Sequence, residues 1–274
     1  MIAFPNAKIN LGLNIIEKRP DCFHNIESVF VPVDLCDVLE IVGSAGRHKV
    51  NFSRSGLEIP ADGNENLCIR AFRLLDEDYK LSSVSIHLHK LIPVGAGLGG
   101  GSSDGAAAIR LLNDLFSLGI SEDRQLEYAR KLGSDCAFFI LNRPVFAIEK
   151  GDRFEDIKLN LSKYHIAIVF PGLHISTTDA YSGIIPVKPH RSVKQLIRQP
   201  AETWKDCLQN DFERIIFNKY PEIRETKEKL YAKGAVYASM SGSGSAVYGI
   251  FAEKPDLKEF DDNWPVHAGR IIRS

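Results

Sequence analysis

The stretch PVGAGLGGGSSDGAAA, residues 93–108, decides the fold, because it separates an alternating segment from a helical one and is unusually rich in glycine. Glycine has no Cβ atom, so such a loop can adopt positive φ angles, approach a ligand closely and expose its amide hydrogens. The helix predicted behind it adds a partial positive charge at its N-terminus. The loop is therefore predicted to hold phosphate groups, through Pro93, Val94, Gly95, Ala96, Gly97, Leu98, Gly99, Gly100, Gly101, Ser102 and Ser103.

Other interpretations of the glycine run fit less well. A simple turn needs one or two glycines, not five. A Walker A loop requires a lysine before its serine or threonine, and GGGSS has none. The spacing of Gly95, Gly97 and Gly100 satisfies the dinucleotide fingerprint G-x-G-x-x-G, so a Rossmann site remains an alternative. Against it, the preceding segment alternates with polar residues and no acidic residue ends a strand about 20 positions later.

Composition narrows the class of protein. The chain has 274 residues, 44% of them hydrophobic, which is enough for one large or two modest domains. Its formal net charge is −1, which disfavours nucleic acid or an anionic membrane as the main partner. The five cysteines are scattered and never form a C-x-x-C pair. With an N-terminus unlike a signal peptide, we expect a soluble protein of the reducing cytoplasm.

The first half of the chain mixes strands and helices. Alternation from Ala7 to Ile15 predicts a half-buried strand that carries Lys8 and Asn10 on its polar face. Further strands are predicted near residues 29–33, 38–42, 49–52, 84–88 and 145–148. Helical periodicity appears near 67–75, 102–116 and 122–132, with a short helix after Asp135.

The second half of the chain has another pattern. Strands are predicted at 165–170, 236–240, 246–251 and near Ile271, with helices within 192–220, at 222–233 and near 257–260. This order resembles a ferredoxin-like split β-α-β sheet with an insertion. The domains are predicted to span residues 1–155 and 156–274.

Three motifs in order resemble the GHMP small-molecule kinases over nearly the whole chain. They are NAKINLGL at residues 6–13, PVGAGLGGGSSDGAAA at 93–108 and MSGSGSAVYGIF at 240–251. The resemblance implies an α+β fold with an N-terminal ribosomal-protein-S5-like α/β domain, which binds ATP and carries catalysis, and a C-terminal ferredoxin-like domain, which binds substrate. It also implies ATP, accompanied by Mg²⁺, as the phosphate donor.

The resemblance assigns roles to individual residues. Asp135 is implied as the base that takes the proton from the acceptor hydroxyl, with Lys8 stabilising the developing charge. Without the motifs, Asp135 would be interpreted as a helix cap and Lys8 as a solvated surface lysine. Further implied contacts are substrate binding by Asn10, Phe23, His24, Thr177, Gly242 and Gly244, and adenine binding by Asn66 and Lys90. No metal ligand is assigned.

The segments DCFHNIES and LGSDCAFF resemble the branch of the family that acts on a cytidyl diphosphate substrate. In that branch Phe23 would stack on cytosine and His24 would bond to it, although the branch usually has Tyr in place of Phe23, so a hydroxyl is missing. Cys136 and Ala137 likewise stand where Val-Pro is usual, and Gly105 stands where alanine is usual. The alternatives are a kinase of the homoserine or mevalonate type and a nucleotide-binding homologue without catalysis.

Overall fold

The computed structural model describes residues 1–46, 48–59, 65–258, 260 and 265–272. These residues form two compact units that are interleaved along the chain. The first comprises residues 1–7, 35–94 and 99–142, and the second comprises 8–34, 95–98 and 143–274. The predicted division at residues 155 and 156 remains a prediction, because the units do not correspond to one continuous segment each.

The elements are numbered in chain order. The strands are β1 (Ile2–Ala3), β2 (Asn6–Lys18), β3 (His24–Cys36), β4 (Val38–Gly43), β5 (Val50–Gly56), β6 (Val84–Lys90), β7 (Val145–Glu149), β8 (Arg153–Asp156), β9 (His165–Val169), β10 (Tyr237–Met240), β11 (Val247–Phe251) and β12 (Val266–Arg270). The helices are α1 (Leu67–Tyr79), α2 (Gly100–Leu115), α3 (Glu122–Leu132), α4 (Cys136–Leu141), α5 (Thr177–Tyr181), α6 (Val193–Leu196), α7 (Glu213–Lys219) and α8 (Pro221–Ala232). A 3₁₀ helix covers Ala201–Asp206.

The first unit packs helices against one face of a sheet. The strand order is β1-β4-β6-β5, with β5 parallel to β6 and the other pairs antiparallel. Strand β6 alternates between buried and half-buried residues, as its sequence predicts. Helix α2, which follows the glycine loop, contacts α1, α3, α4 and β4. It buries small residues such as Ala106 and Ala108, which allow close packing, so the start of α2 is held firmly.

The second unit contains two sheets. One has the order β2-β3-β7-β8, and the other has the antiparallel order β10-β11-β9-β12. Helices α7 and α8 belong to this unit, and α8 contacts β10 and β11. The apolar core includes Phe212, Ile216, Ile223 and Leu230, which supports the predicted arrangement of helices on an antiparallel sheet.

Strand β2 corrects the predicted half-buried strand, because it is buried on both faces from Asn6 to Leu13. The sequence shows alternation, but the polar residues of that alternation are enclosed: Lys8 is 3% exposed and Asn10 is 1% exposed. A buried lysine needs polar partners, because transferring its charge out of water is costly. Lys8 is therefore not a solvated surface side chain.

The local predictions had mixed outcomes. The helix expected near residues 257–260 does not form in the described part of that segment, which has turns and bends instead. The last strand, expected near Ile271, does form, as β12 at Val266–Arg270. The helices expected within 192–220 are present as α6, the 3₁₀ helix and α7. Strand β8 and helix α5 were not predicted. Both are short, at four and five residues, so they offer little periodicity.

In the part of the chain that the structure describes, no helix is both long enough and apolar enough to cross a bilayer.

The place of β9 inside its sheet gives a stability prediction. Ile166 is fully buried on this inner strand, so we expect Ile166→Ala to lower the free energy of unfolding by about 2–5 kcal/mol. Val266→Ala on the edge strand β12 is the control, because Val266 is 36% exposed, and it should cost about 0.5 kcal/mol. Urea unfolding of both variants measures the difference. Equal losses would contradict the inner position of β9.

Candidate functional site

The glycine loop leads directly into α2. Gly99 is the N-cap residue in the left-handed conformation, with φ 72°, and its carbonyl accepts a hydrogen bond from the amide of Ser103 at 3.0 Å. Gly101 is exposed, and a Cβ atom at this position would meet nothing within 4 Å. The start of α2 therefore combines helix amides with open space, which is the arrangement that anionic groups require.

The first part of the loop, residues 95–98, is fixed by backbone contacts within the second unit. The carbonyl of Leu98 accepts a hydrogen bond from the amide of Lys8 at 2.9 Å, and the carbonyl of Ala96 accepts one from the amide of Ala246 at 3.1 Å. The hydroxyl of Ser241 donates to the carbonyl of Gly97 at 2.8 Å. The three sequence motifs therefore meet at this segment.

Gly97 is required at its position for two independent reasons. Its φ is 77°, a conformation that residues with side chains rarely adopt. A Cβ atom on Gly97 would also overlap the carbonyl oxygen of Ser241. This close approach explains one of the loop glycines without reference to a ligand.

Lys8 and Asn10 form part of a buried polar chain. The Lys8 ammonium donates to Asn10 Oδ1 at 2.6 Å and lies 4.6 Å from the centroid of the Phe30 ring. Asn10 Nδ2 donates to Ser28 Oγ at 3.0 Å, and Ser28 in turn donates to the Gly12 carbonyl at 2.6 Å. The hydroxyl of Tyr248 donates to the Asn10 carbonyl at 2.6 Å. These bonds fix the orientation of both predicted site residues.

Gly242 and Gly244 lie close to the loop segment 95–98. A Cβ atom on Gly242 would lie 3.2 Å from Gly97 Cα and 3.6 Å from Asn10 Oδ1. One on Gly244 would lie 3.3 Å from Ile175, two residues before Thr177. Asn210 holds this turn, because its Nδ2 donates to the carbonyls of Met240 and Gly242, both at 2.8 Å. The structure thus brings together Asn10, Gly97 and Gly242.

The predicted cytosine-binding residues form an aromatic group. The ring of His24 stacks on Tyr181, with centroids 4.5 Å apart and planes 16° apart, and Tyr181 meets Phe212 edge to face at 4.8 Å. Phe23 is 57% exposed, and the ammonium of Lys150 lies 5.1 Å from its ring centroid. Burial, aided by the charge of Lys18, lowers the pKa of His24, so the neutral imidazole predominates at pH 7.

Thr177 is exposed at the first position of α5, whose last residue is Tyr181. Ser176 caps this helix by accepting a hydrogen bond from the Asp179 amide at 3.0 Å. The short helix therefore connects the predicted contact at Thr177 to the aromatic group around His24.

Asp135 occupies the N-cap position of α4, as its sequence context predicts, but its side chain makes no capping hydrogen bond in the described residues. An N-cap side chain usually accepts a hydrogen bond from the first turn of its helix. Asp135 is half-buried, and the helix that follows it is almost entirely buried. The Asp135 side chain therefore does not act as the usual N-cap of α4.

The two residues predicted to contact adenine have structural partners. Asn66 caps α1, with Oδ1 accepting a hydrogen bond from the Cys68 amide at 2.9 Å. Lys90 is 1% exposed, and its ammonium pairs with the carboxylates of Asp104, at 2.8 Å, and Asp37. Adenine binding by Asn66 and Lys90 remains a prediction, since the observed contacts are internal to the fold.

No metal site can be assigned from side chains. Within the described ranges there is no group of three or more His, Cys, Asp or Glu side chains that could hold a metal ion. A magnesium ion that accompanies a nucleotide usually takes most of its ligands from phosphate and water. The use of Mg²⁺ therefore remains a prediction.

The sequence alone did not identify some residues that the structure places at the site. Tyr181 follows Thr177 in the segment HISTTDAY, and Tyr248 lies in the third motif, but a single tyrosine at either place carries no spacing signal. Asn210 and Ser28 are also separated from the motifs they support. Their importance depends on contacts between distant segments.

Two family models match the chain. The model of the GHMP kinases N terminal domain matches residues 66–143, and the model of the GHMP kinases C terminal domain matches residues 190–265. The 4-diphosphocytidyl-2-C-methyl-D-erythritol kinase of Bacteroides fragilis is 49% identical over 262 residues, which covers 95% of this chain and 96% of that protein. The chain belongs to the GHMP kinase family. It is accordingly an ATP-dependent small-molecule kinase.

Other comparisons agree with this assignment. The kinase of the same name from Cytophaga hutchinsonii is 50% identical to this GHMP kinase over 257 residues, covering 93% of this chain and 94% of that one. A crystal structure of 4-(cytidine 5'-diphospho)-2C-methyl-D-erythritol kinase superposes with a TM-score of 0.84 at 32% identity, covering 99% of each chain. A homoserine kinase from Cytophaga hutchinsonii, with a TM-score of 0.66 at 17% identity over 97% of this chain and 94% of that one, shares the fold. The predicted two-domain GHMP fold is thereby confirmed.

Two glycines of the loop should respond differently to substitution. We expect Gly97→Ala to lower the free energy of unfolding by about 1–3 kcal/mol, because its φ is 77° and the new methyl group overlaps Ser241. Gly101→Ala is the matched control, since a helical position with open space should gain about 0.5–1 kcal/mol. Thermal unfolding compares the two. A Gly97→Ala variant as stable as Gly101→Ala would contradict the close approach.

Proposed function

We propose that this kinase transfers the γ-phosphate of ATP to the 2-hydroxyl of 4-diphosphocytidyl-2-C-methyl-D-erythritol. The product is the 2-phosphate, and the reaction belongs to non-mevalonate isoprenoid precursor biosynthesis. The observation that carries the proposal is the similarity to kinases of that name, at 49–50% identity over at least 93% of the chain. The motif DCFHNIES supports the same acceptor.

The aromatic group around His24 suits a cytosine base. Phe23 presents an exposed ring for stacking, and the neutral imidazole of His24 can both donate and accept a hydrogen bond. The stack on Tyr181 fixes the plane of the imidazole. We propose that Phe23 and His24 bind the base and that Thr177, Asn10, Gly242 and Gly244 contact other parts of the acceptor.

The glycine loop supplies the phosphate site. Residues 93–103 would hold the ATP phosphates with backbone amides and the N-terminus of α2, where a partial positive charge favours anions. When bound, Mg²⁺ would neutralise part of the negative charge of the ATP phosphates. No metal ligand is proposed among the side chains.

Phosphoryl transfer to an alcohol needs a proton acceptor and compensation of charge. We propose that Asp135 takes the proton from the 2-hydroxyl, which is the role that the family resemblance implies for it. Lys8 would stabilise the charge that develops on the oxygen, and its bond to Asn10 at 2.6 Å keeps the ammonium oriented. A preoriented charge contributes more than a mobile one, because it needs no reorganisation during the reaction.

The cysteines and the net charge bear on the cellular location of the protein and on its partners. We propose a cytoplasmic location, which is supported by five cysteines that are all free thiols. The near-zero net charge remains the basis for predicting no nucleic-acid and no membrane partner.

The experiment that tests the acceptor measures ADP release with 4-diphosphocytidyl-2-C-methyl-D-erythritol, homoserine and mevalonate in parallel. Turnover with the cytidyl compound alone supports the proposal, and the phosphorus NMR spectrum of the product should show a new monoester. Turnover with homoserine or mevalonate instead would refute it. ATP binding without ADP formation from any acceptor would identify a non-catalytic homologue.

The role of Asp135 predicts a specific kinetic change. We expect Asp135→Asn to lower kcat by about 100- to 10,000-fold, because the amide cannot accept the hydroxyl proton. KM for ATP and for the acceptor should change by less than about threefold. Asp123→Asn is the control, an exposed carboxylate in the first turn of α3. If kcat of Asp135→Asn stayed within a few-fold of wild type, the base would have to be another group.

Phe23 should affect the acceptor and not the nucleotide. We expect Phe23→Ala to raise KM for the cytidyl acceptor about tenfold, the loss typical of one base-stacking contact. Phe23→Tyr should restore it, because the ring is retained. Steady-state kinetics with each substrate varied in turn provide the measurement. An increase confined to KM for ATP would argue against cytosine binding at Phe23.

A further inference from the structure

A buried ion cluster lies at the base of the phosphate-binding loop in the first unit. It consists of the Lys90 ammonium and the carboxylates of Asp37 and Asp104, whose side chains are 2%, 0% and 3% exposed. Lys90 ends β6, Asp37 lies between β3 and β4, and Asp104 is the fifth residue of α2. Three separate parts of the chain are thus joined by one ammonium group.

The cluster contacts the loop where it leaves the sheet and where it enters the helix. Asp37 Oδ1 accepts hydrogen bonds from the amides of Leu91, at 2.6 Å, and Ile92, at 2.8 Å. At the other end, a Cβ atom on Gly100 would lie 2.9 Å from the Lys90 nitrogen. Any change in the charge of the cluster therefore acts directly beside the loop backbone.

The charges of the cluster do not balance. Two carboxylates share one ammonium, and Asp37 has two amide donors in addition. Asp104 Oδ2 accepts a hydrogen bond from the ammonium at 2.8 Å, whereas its Oδ1 is buried without a hydrogen-bond partner among the residues that the structure describes. A buried carboxylate with an unsatisfied oxygen is costly, so the site favours a neutral Asp104.

The neighbouring groups reinforce this preference. Burial raises the pKa of Asp104 to about 7, with Asp37 adding to the shift and Lys90 opposing it. Burial alone would lower the pKa of Lys90, but Asp104 and Asp37 outweigh it, so the ammonium stays charged. The other titratable neighbour, the Cys68 thiol, is kept protonated, because burial and then the charge of Asp104 raise its pKa.

We propose that Asp104 is a positioning residue for ATP that takes up a proton when the nucleotide binds. A negative charge near the start of α2 opposes the phosphates that the helix N-terminus attracts. Protonation from solvent removes that charge and leaves the Lys90–Asp37 pair balanced. By linkage, a bound phosphate makes protonation of Asp104 easier, and a protonated Asp104 strengthens phosphate binding.

The sign of the pH dependence follows. Below about pH 7 Asp104 is neutral and the loop binds ATP well, whereas above this pH the excess negative charge weakens binding. The inference rests on ATP binding to the loop, which is part of the proposed function, and it does not depend on the identity of the acceptor.

The experiment is calorimetric titration with ATP in the absence of acceptor and with magnesium in excess. Between about pH 6 and about pH 8.5 we expect Kd to rise about fivefold for the wild-type protein. Near about pH 7.4, where the proton uptake implied by this change in Kd is largest, titrations in two buffers with different ionisation enthalpies should show that uptake. Asp104→Asn, which is neutral and similar in shape, should remove both the uptake and the rise in Kd. Asp114→Asn, an exposed carboxylate on the same helix, should retain both.

The outcomes separate this inference from the proposed function. ATP that binds the wild-type protein near about pH 7.4 without proton uptake overturns the inference, and this measurement needs no variant to fold. Equal proton uptake by wild type and Asp104→Asn also overturns it, because another group would then carry the proton. If ATP does not bind at either pH, both the inference and the proposed phosphate site fail.

Discussion

The close packing of backbone at Gly97 is the constraint on which the second unit depends. The Gly97 carbonyl accepts a hydrogen bond from Ser241, its Cα lies against Gly242, and its φ is 77°. Because neither glycine carries a side chain, segments almost 150 residues apart in the sequence can pack backbone to backbone. Asn210 then fixes the turn around Gly242. Glycine in these motifs thus has a structural role that is separate from the proposed binding of phosphate.

Burial of polar residues along β2 follows from the same packing. Strand β2 lies next to the loop, since the Lys8 amide donates to Leu98, and it places Lys8 and Asn10 in an enclosed region. Enclosure removes water from the ammonium, which would be costly without the bonds to Asn10 and, through it, to Ser28. Because burying polar groups costs free energy even when they are hydrogen-bonded, Lys8 and Asn10 are not expected to stabilise the fold more than apolar residues of similar size would.

The sequence was sufficient for the long elements and the motifs but not for the contacts between them. Alternation predicted β6, and apolar periodicity predicted α1, α2 and α3, because each is long enough to repeat its pattern. It failed for the short elements α5 and β8. It also failed for the burial of β2, since a strand with one enclosed polar face has the same alternation as one with a solvated face. Tyr181 and Asp37 could not be found, because their roles arise only when distant segments meet.

Glycine is therefore required at different loop positions for different reasons. Gly97 is fixed by Ser241 and Gly100 by the nearby Lys90 nitrogen, whereas a side chain on Gly101 would extend into open space. Packing alone would allow a larger residue at Gly101, so a requirement for glycine there would have to come from a ligand. The same distinction applies to Lys90: two internal carboxylates already account for its ammonium, and diverting it to a ligand would leave Asp37 and Asp104 buried without a counter-charge. The observed contacts of Lys90 therefore place its role in supporting the loop and the two carboxylates.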